Sequence, residues 1–223
     1  MNQNHSIYLL AIRGNLAAKT LEASRSVHNQ TAGHPANVAA AKSLGDLSHM
    51  VYVPMQSSPD NEFLILDVWN SMDGLNQFFA NPTVQEQAGQ IFTRRDPVVW
   101  APADDFTSYH IPAPYGKNER YVAVVRGTVN SRKDAQERHN ALIGKAANKA
   151  RGRGHLSHDA YFRLSPPGTP ESLEFFAVDV WMNAAGMGEH YQDPEIMSGI
   201  APMFASVPTS SIWVHPAGEW VEW

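Results

Sequence analysis

The sequence contains no cysteine, which excludes disulfide bonds, zinc–thiolate sites and thiol nucleophiles. It has no apolar run near the roughly 18 residues that a membrane-spanning helix needs. It also has no basic run, and its net charge of -5 argues against a nucleic-acid partner. The polar start, Met1–Ser6, lacks the basic and apolar regions of a signal peptide. We therefore expect a cytoplasmic protein that binds neither nucleic acid nor a membrane.

The composition provides enough apolar residues for a core, and the sequence repeats itself. Of 223 residues, 43% are hydrophobic and 17% charged, which is typical of a soluble globular protein. The matching segments are Tyr8–Gly14 with Tyr121–Gly127, His28-Asn29 with His139-Asn140, Ser48-His49 with Ser157-His158, and Asp67–Trp69 with Asp179–Trp181. The repeat predicts two similar halves, 1–112 and 113–223, joined near Pro112 and Pro114.

Each half has the pattern of a β-α-β-β-α-β unit. The predicted elements are a first strand (Tyr8–Gly14, Tyr121–Thr128), a helix (Ala17–Thr31, Arg132–Ala150), a hairpin, a second helical stretch and a last strand (Val98–Ala101, Ser211–Val214). Proline residues predict breaks at Gly33-His34-Pro35, Asn81-Pro82 and Asp193-Pro194. This order is ferredoxin-like and belongs to the α+β class. Because one such unit leaves a sheet face uncovered, we expect two fused units packed sheet to sheet.

The hairpin of each half predicts a contact between an imidazole and a carboxylate. A first turn centred near residue 58 places His49 opposite Asp67 in an antiparallel pair. A second turn centred between residues 168 and 169 places His158 opposite Asp179 in the same way. A slip of one residue would put the two side chains of a pair on opposite faces, so this register is a specific prediction.

Alternation along the strands indicates where this contact lies. Leu64, Leu66 and Val68 form one purely apolar face, so the face with Asp67 should look toward the helices. Helical spacing likewise turns His28 and His139 toward the sheet. The sequence therefore predicts a polar pocket in each half, lined by His28, His49, Asp67 and Trp69 in the first and by His139, His158, Asp179 and Trp181 in the second.

Two further motifs occur in both halves. The first runs from Gly45 to Tyr52, with Ser48-His49 inside it, and recurs from Gly154 to Tyr161. The second is Val-Trp and a glycine with four residues between them, and it leads into a helix that ends at Asn81-Pro82 or Asp193-Pro194. Together these motifs resemble the antibiotic biosynthesis monooxygenase-like group of dimeric α+β barrels, over nearly all of both halves. The chain looks like a tandem fusion of what is usually a homodimer.

The resemblance implies a dimeric α+β barrel within one chain and leaves several activities open. The group includes cofactor-independent oxygenases of aromatic compounds, isomerases, haem-degrading enzymes and proteins of no assigned activity. Its oxygenases place Trp, Asn, Tyr and Arg around the substrate. Similar substrate-binding parts are implied for Trp69, Asn29, Tyr52 and Arg13, and for Trp181, Asn140, Tyr161 and Arg126. The plainer alternatives are core packing for the tryptophans, a local turn for the asparagines and surface ion pairs for the arginines.

The His–Asp pair has several chemical interpretations. A carboxylate that orients an imidazole makes it a general base near neutral pH, which suits both oxygenation and isomerisation. The same pair can instead be a buried contact that only stabilises the hairpin. His28, His49 and Asp67 can also be viewed as a two-His-one-carboxylate metal triad. A further possibility, which the resemblance implies, is that His28 or His139 ligates haem.

We predict from this a cofactor-independent monooxygenase-like enzyme that acts on a small aromatic or enolisable compound. Its catalytic residues would be His49, Asp67, His28, His158, Asp179 and His139. The alternatives are a lyase or isomerase that only moves protons, a metal- or haem-dependent enzyme, and a non-catalytic binding protein. Association of several chains is left open.

Overall fold

The computed structural model describes residues 7–56, 61–110 and 120–223. It divides into two compact units, the first formed by Met1–Ala101 with His215–Trp223 and the second by Pro102–Val214. The last nine residues thus belong with the first unit, although they follow the second half in sequence. The predicted junction near Pro112 and Pro114 and the turn near residue 58 lie outside the described residues.

The first unit is a four-stranded antiparallel sheet with four helices. Its elements are β1 (Tyr8–Leu16), α1 (Leu21–Gln30), α2 (Pro35–Ser43), β2 (Asp46–Pro54), β3 (Glu62–Trp69), α3 (Met72–Ala80), α4 (Pro82–Ile91) and β4 (Phe92–Pro102). The strand order is β4-β1-β3-β2. This is the ferredoxin-like order predicted for the first half, with each helix divided in two.

The second unit repeats this plan with one short additional strand. Its elements are β5 (Tyr109–His110), β6 (Tyr121–Thr128), α5 (Arg132–Gly152), β7 (His155–Arg163), β8 (Glu174–Trp181), α6 (Ala184–Tyr191), α7 (Pro194–Ile200), a 3-10 turn (Ala201–Met203) and β9 (Thr209–Val214). The strand order is β9-β6-β8-β7-β5. None of the helices within the described residues has both the length and the apolarity to cross a membrane.

The predicted helix breaks are confirmed, and side-chain caps explain them. His34 accepts a hydrogen bond from the Ala36 amide where α2 begins, and Pro35 occupies the first helical turn. Asn81 and Asp193 cap α4 and α7 in the same way, each followed by proline. The second unit has no equivalent of the first break, so α5 runs unbroken for 21 residues. The first helix was predicted from Ala17 but begins at Leu21, because Thr20 caps it.

The predicted strand register is confirmed in both hairpins. His49 pairs with Asp67 between β2 and β3, and His158 pairs with Asp179 between β7 and β8. Each pairing continues past an irregularity, between Asp46 and Ser48 in the first unit and between His155 and Ser157 in the second. Both members of each His–Asp pair therefore lie on one face of their sheet.

That face packs against the helices, as alternation predicted. In the first unit Phe63, Ile65 and Trp69 of β3 share a core cluster with Leu75 of α3 and Ile91 of α4. In the second unit the corresponding residues of β8 divide between two clusters, one with Phe175 and one with Trp181. The His–Asp pairs consequently lie between sheet and helices, in the interior of each unit.

A glycine in α3 allows close contact with the C-terminal end of α2, and this contact is testable. A Cβ atom at Gly74 would lie 1.7 Å from the carbonyl oxygen of Leu44, which is backbone and cannot rotate away. We expect Gly74→Ala to lower the free energy of unfolding by at least ~2 kcal/mol in urea denaturation. The control is Gly89→Ala in α4, where a Cβ has no neighbour within 4 Å. It should raise stability by roughly 0.5–1 kcal/mol. Equal stability of Gly74→Ala and the wild type would contradict this contact.

Candidate functional site

A chain of four side chains crosses the interior of the first unit. The Nδ1 atom of His28 lies 3.1 Å from Asn29 Oδ1, and its Nε2 lies 2.9 Å from Nε2 of His49. His49 Nδ1 lies 2.7 Å from Asp67 Oδ1. His28, His49 and Asp67 are all buried. The predicted contact of His49 with Asp67 is confirmed, and His28 extends it.

Backbone contacts fix which atom of the Asn29 amide is the oxygen. Its Nδ2 donates to the carbonyl of Glu219 at 2.8 Å, and its Oδ1 accepts from the amide of Val221 at 3.0 Å. Because Oδ1 can only accept, His28 must carry its proton on Nδ1. The Nε2 atom of His28 is then the acceptor for His49 Nε2–H. His49 also donates from Nδ1 to Asp67, so it carries two protons and is an imidazolium.

The electrostatic environment agrees with this assignment. Burial, followed by the charge of His49, lowers the pKa of His28 to about 4, so this ring is neutral near pH 7. Burial also disfavours charge on His49, but the charge of Asp67 and the hydrogen bond to it outweigh burial and raise the pKa of His49. The site thus holds one neutral ring, one cation and one carboxylate.

The second unit contains the same chain of contacts. His139 Nδ1 lies 3.2 Å from Asn140 Oδ1, and His139 Nε2 lies 2.7 Å from His158 Nε2. His158 Nδ1 lies 2.5 Å from Asp179 Oδ1. Burial tends to raise the pKa of Asp179, but the charges of His158 and His155 and the hydrogen bonds from them lower it well below its ordinary value. Asn140 is oriented as Asn29 is, by the Asp105 carbonyl and the Thr107 amide.

A short segment that follows the last strand of the other half covers each chain of contacts. In the first unit Trp223 exchanges backbone hydrogen bonds with His49 and stacks on its ring at 4.6 Å, while Trp220 contacts His28. In the second unit Tyr109 pairs with His158, and Phe106 contacts His139. Neither segment was predicted from the sequence. Their signal is a shared pattern of acid, aromatic, β-branched residue, any residue and aromatic, at 105–109 and 219–223.

The first unit encloses a cavity of about 290 Å³ beside the His–Asp pair. Most of its wall is apolar, and Asp46, His49 and Asp67 form a polar end. Aromatic surface is supplied by Phe78, Phe79, Phe92 and Trp223. Other polar lining residues are Asn37, Gln85, Gln87 and Arg95. A cavity of this kind is typical of small-molecule sites.

The corresponding cavity of the second unit measures only about 50 Å³. Side chains of the unbroken helix α5 line it, together with larger polar side chains. These larger residues are Tyr109, His155, His190 and Tyr191. The hydroxyl of Tyr191 donates to Asp179 Oδ2 at 2.5 Å. The second copy of the site is therefore almost filled by the protein itself.

The two units also differ where β2 and β7 begin, with Asp46 in the first and His155 in the second, each opposite a tryptophan. Asp46 is 4% exposed, and within the described residues its Oδ1 has no hydrogen-bond partner. Burial, followed by the charge of Asp67, raises the pKa of Asp46 to about 8. Near pH 7 the polar end of the cavity thus carries a neutral carboxylic acid beside a carboxylate. Asp46 was not predicted from the sequence, because the groups around it come together only in the folded unit.

Several predicted substrate-binding residues lie away from the cavity. Trp69 and Trp181 are fully buried in the core and do not line either cavity, which is the plainer alternative for them. Tyr52 pairs with Leu64 and Tyr161 with Phe176, which puts both tyrosines on the opposite sheet face from the His–Asp pairs.

The remaining predicted binding residues, two arginines and two asparagines, form ion pairs or hydrogen bonds with other residues of the protein. Arg13 pairs with Glu62 and Arg126 with Glu174, each at 2.6 Å, so both arginines form ion pairs. Asn29 and Asn140 orient a histidine and hold a covering segment. Direct contact between these four residues and a substrate in the cavities is therefore not supported.

The residues do not fit the metal or haem interpretations. The nitrogens of His28 and His49 point at each other, and His49 Nδ1 points at Asp67, so the three donors do not converge on one point. No cluster of three or more potential ligands occurs within the described residues. Both ring nitrogens of His28, and likewise of His139, already take part in hydrogen bonds. Neither ring has a nitrogen left to ligate haem.

Comparison with known proteins bears on the fold. No family model matches the sequence, and no curated protein matches it. A candidate monooxygenase from Fusobacterium nucleatum subsp. nucleatum has a TM-score of 0.63 at 11% identity, with 98% of both chains covered. An anthrone oxidase-like protein has a TM-score of 0.62 at 15% sequence identity, and the alignment covers 97% of this chain and 93% of that protein. A chlorite dismutase variant from Candidatus Nitrospira defluvii has a TM-score of 0.53 at 11% sequence identity, and the alignment covers 94% of this chain and 92% of that protein.

These likenesses confirm the predicted fold class. The chain is an α+β protein of two fused ferredoxin-like units, of the dimeric α+β barrel type. At identities this low, structural likeness carries no activity from one protein to another. Function must be argued from the site itself.

The protonation of Asp46 gives a pH-dependent prediction. Its carboxyl group ionises near pH 4 in the unfolded chain and only near pH 8 in the folded one, so stability is lost as the pH rises between these values. We expect Asp46→Asn to match the wild type near pH 4 and to be more stable by roughly 2–5 kcal/mol at pH 8. Urea denaturation at pH 5, 6.5 and 8 measures this difference.

The control is Asp73→Asn, which removes an exposed carboxylate in the first turn of α3. It should change stability by less than about 0.5 kcal/mol, with no growth as the pH rises. A stability difference between Asp46→Asn and the wild type that stays constant from pH 5 to pH 8 would contradict the assignment of a neutral Asp46.

Proposed function

We propose that the cavity of the first unit is the active site of an enzyme without an organic cofactor. Its substrate is a small aromatic or enolisable compound, and its reaction is a monooxygenation. The observation that carries this proposal is the 290 Å³ apolar cavity ending at Asp46, His49 and Asp67. A neutral acid and a carboxylate at the end of an apolar cavity suit proton transfer to and from a bound molecule.

The size and walls of the cavity support an aromatic substrate. An engineered apolar cavity of about 150 Å³ holds benzene. The cavity here is nearly twice as large, which suits a molecule of about two fused rings. The rings of Phe78, Phe79 and Phe92 offer surfaces for stacked or edge contacts.

The hydrogen bonds of the site assign its roles differently from the sequence prediction. His49 was predicted to be the base, but Nδ1 contacts Asp67 and Nε2 contacts His28, so neither nitrogen is open to a substrate. Asp67 lines the cavity and is the better candidate to accept a proton. His49 then acts as a positioning residue that stabilises the carboxylate, and His28 and Asn29 hold His49 in place. Asp46, in its neutral form, can return a proton to an oxygen of the product.

A monooxygenation fits these groups because it needs no added reductant when the substrate supplies the electrons. An activated methylene group and one dioxygen molecule give a ketone and one water molecule. Two C–H bonds and the O–O bond break, while a C=O bond and two O–H bonds form. Asp67 accepts the first proton, which leaves an electron-rich anion to react with oxygen. The candidate monooxygenase and the anthrone oxidase-like protein share this fold, which is in keeping with such chemistry.

Proton transfer alone is the second candidate function. The same carboxylate and carboxylic acid would serve an isomerase or a lyase, in which the proton taken by Asp67 is replaced at another atom. This candidate rests on the Asp46–Asp67 arrangement and requires no oxygen. Turnover of a substrate in the absence of oxygen would favour it over the monooxygenase.

The proposal predicts that one of two equivalent aspartates is essential for activity. We expect Asp67→Asn to lower turnover at least 100-fold, because an amide cannot accept the proton. Oxygen uptake with hydroquinone-type and anthrone-type substrates measures the rate, and product analysis under anaerobic conditions tests the isomerase alternative.

The duplicated chain provides the control. Asp179→Asn removes the same carboxylate from the second unit, where the cavity is nearly filled, and should leave turnover within about twofold once folding has been verified by circular dichroism. If either aspartate variant fails to fold, Ala88→Phe narrows the first cavity without removing any polar group and should also abolish turnover. Full oxygen uptake by Asp67→Asn or by Ala88→Phe would overturn the proposal.

A further inference from the structure

Three aromatic positions in the two units match closely in geometry. In the second unit Trp181 lies 5.1 Å from His190 and 6.0 Å from Tyr191, and the last two rings are 5.2 Å apart at 86°. In the first unit Trp69 lies 5.6 Å from Phe78 and 6.1 Å from Phe79, and these two rings are 5.2 Å apart at 85°. Phe79 therefore occupies the place in the first unit that Tyr191 occupies in the second.

The difference between these two residues is a single oxygen atom, and that atom binds the carboxylate. In the second unit Asp179 accepts from His158 at Oδ1 and from the Tyr191 hydroxyl at Oδ2. In the first unit His49 donates a hydrogen bond to Oδ1 of Asp67, but Phe79 has no hydroxyl group that could donate to Oδ2. Among the described residues, His49 is the side chain that donates a hydrogen bond to Asp67. Both Phe79 and Asp67 line the large cavity.

We propose that the first-unit cavity binds a hydroxylated aromatic molecule whose O–H donates to Asp67 as the Tyr191 hydroxyl donates to Asp179. Phe79 is then a specificity-determining residue, because it leaves the hydroxyl position open to a ligand. The second unit is a copy of the same site that its own tyrosine occupies. This inference rests on the proposed function and deepens it by naming the substrate class. The enol form of an activated methylene compound is such a molecule, and its O–H then carries the proton that Asp67 accepts.

The charges of the site favour a neutral donor over an ion. His49 already neutralises Asp67, so a bound cation would be buried without a partner. An anionic group at Oδ2 would face the carboxylate of Asp67 itself, whereas the cationic lining residue, Arg95, contacts Gln85. A neutral hydroxyl satisfies Oδ2 and adds no charge.

Tyr191 shows in which form such a group is held. Burial, followed by the charge of Asp179, raises the pKa of Tyr191 well above its ordinary value, so its hydroxyl keeps the proton and acts as a donor. A ligand hydroxyl in the equivalent place is expected to bind in the protonated form. Proton transfer to Asp67 would then follow only for a substrate more acidic than the tyrosine side chain.

Binding of two matched probes tests the proposal without any measurement of activity. The probes are 2-naphthol and 2-methoxynaphthalene, which have the same rings, while only the first can donate a hydrogen bond. We expect 2-naphthol to bind the full-length protein at least about 10-fold more tightly at pH 7, because a hydrogen bond to a charged group is gained. Equilibrium dialysis gives both affinities.

A substitution at position 79 tests the specificity role. Phe79→Tyr gives the first unit its own phenol, which should donate to Asp67 and weaken 2-naphthol binding at least 10-fold. The first control is Phe79→Leu, which changes the ring without adding a hydroxyl and should keep the preference for 2-naphthol. The second is Tyr191→Phe in the other unit, which should leave the affinity of the first cavity unchanged. Thermal unfolding verifies that each variant folds.

The outcomes separate this inference from the proposed function. Equal affinities for the two probes, or undiminished 2-naphthol binding by Phe79→Tyr, would overturn the inference even if oxygen uptake through Asp67 persists. Selective 2-naphthol binding that Phe79→Tyr removes would support it. If that binding occurs but no substrate turns over with or without oxygen, the binding mode stands and the proposed enzymatic function fails.

Discussion

The interior of each unit depends on a buried imidazolium–carboxylate pair whose protons are placed by an asparagine. Two backbone contacts orient Asn29, Asn29 fixes the proton of His28 on Nδ1, and Nε2 of His28 accepts a hydrogen bond from His49. An isolated buried charge is strongly unfavourable, so the pair is stable only while every member of the chain is present. The same asparagine also holds the segment that covers the site, through the Glu219 carbonyl and the Val221 amide.

Duplication allowed two copies of this arrangement to differ in what surrounds them. The first unit has a helix broken at Pro35, phenylalanines at positions 78 and 79, and a large cavity. The second has an unbroken helix, a tyrosine at position 191 and very little free volume. The shared His–Asp pair by itself therefore does not define a catalytic site. The residues around it decide whether the carboxylate meets a ligand or a side chain of the protein.

The sequence predicted the fold and the His–Asp register because both follow from local rules. Alternation placed Asp67 on the helix-facing side of β3, and turn position placed His49 opposite it. The direct contact of His28 with His49 depends on rotamers, which spacing does not specify. The covering segments were missed because each follows the last strand of one half in sequence but belongs to the compact unit formed by the other half. The roles predicted for Tyr52 and Arg13 depended on family resemblance. Strand alternation puts Tyr52 on the sheet face opposite the cavity, and Arg13 forms an ion pair with Glu62.

The protonation of the four imidazoles is the most direct test of this account. Nitrogen-15 NMR of histidine-labelled protein at pH 7.5, assigned with single His→Gln variants, distinguishes protonated ring nitrogens from unprotonated ones. The buried ion pair predicts that both nitrogens of His49 carry protons. It also predicts that His28 and His139 carry one each, on Nδ1. A His49 ring with an unprotonated Nε2 at this pH would contradict the buried ion pair on which the rest depends.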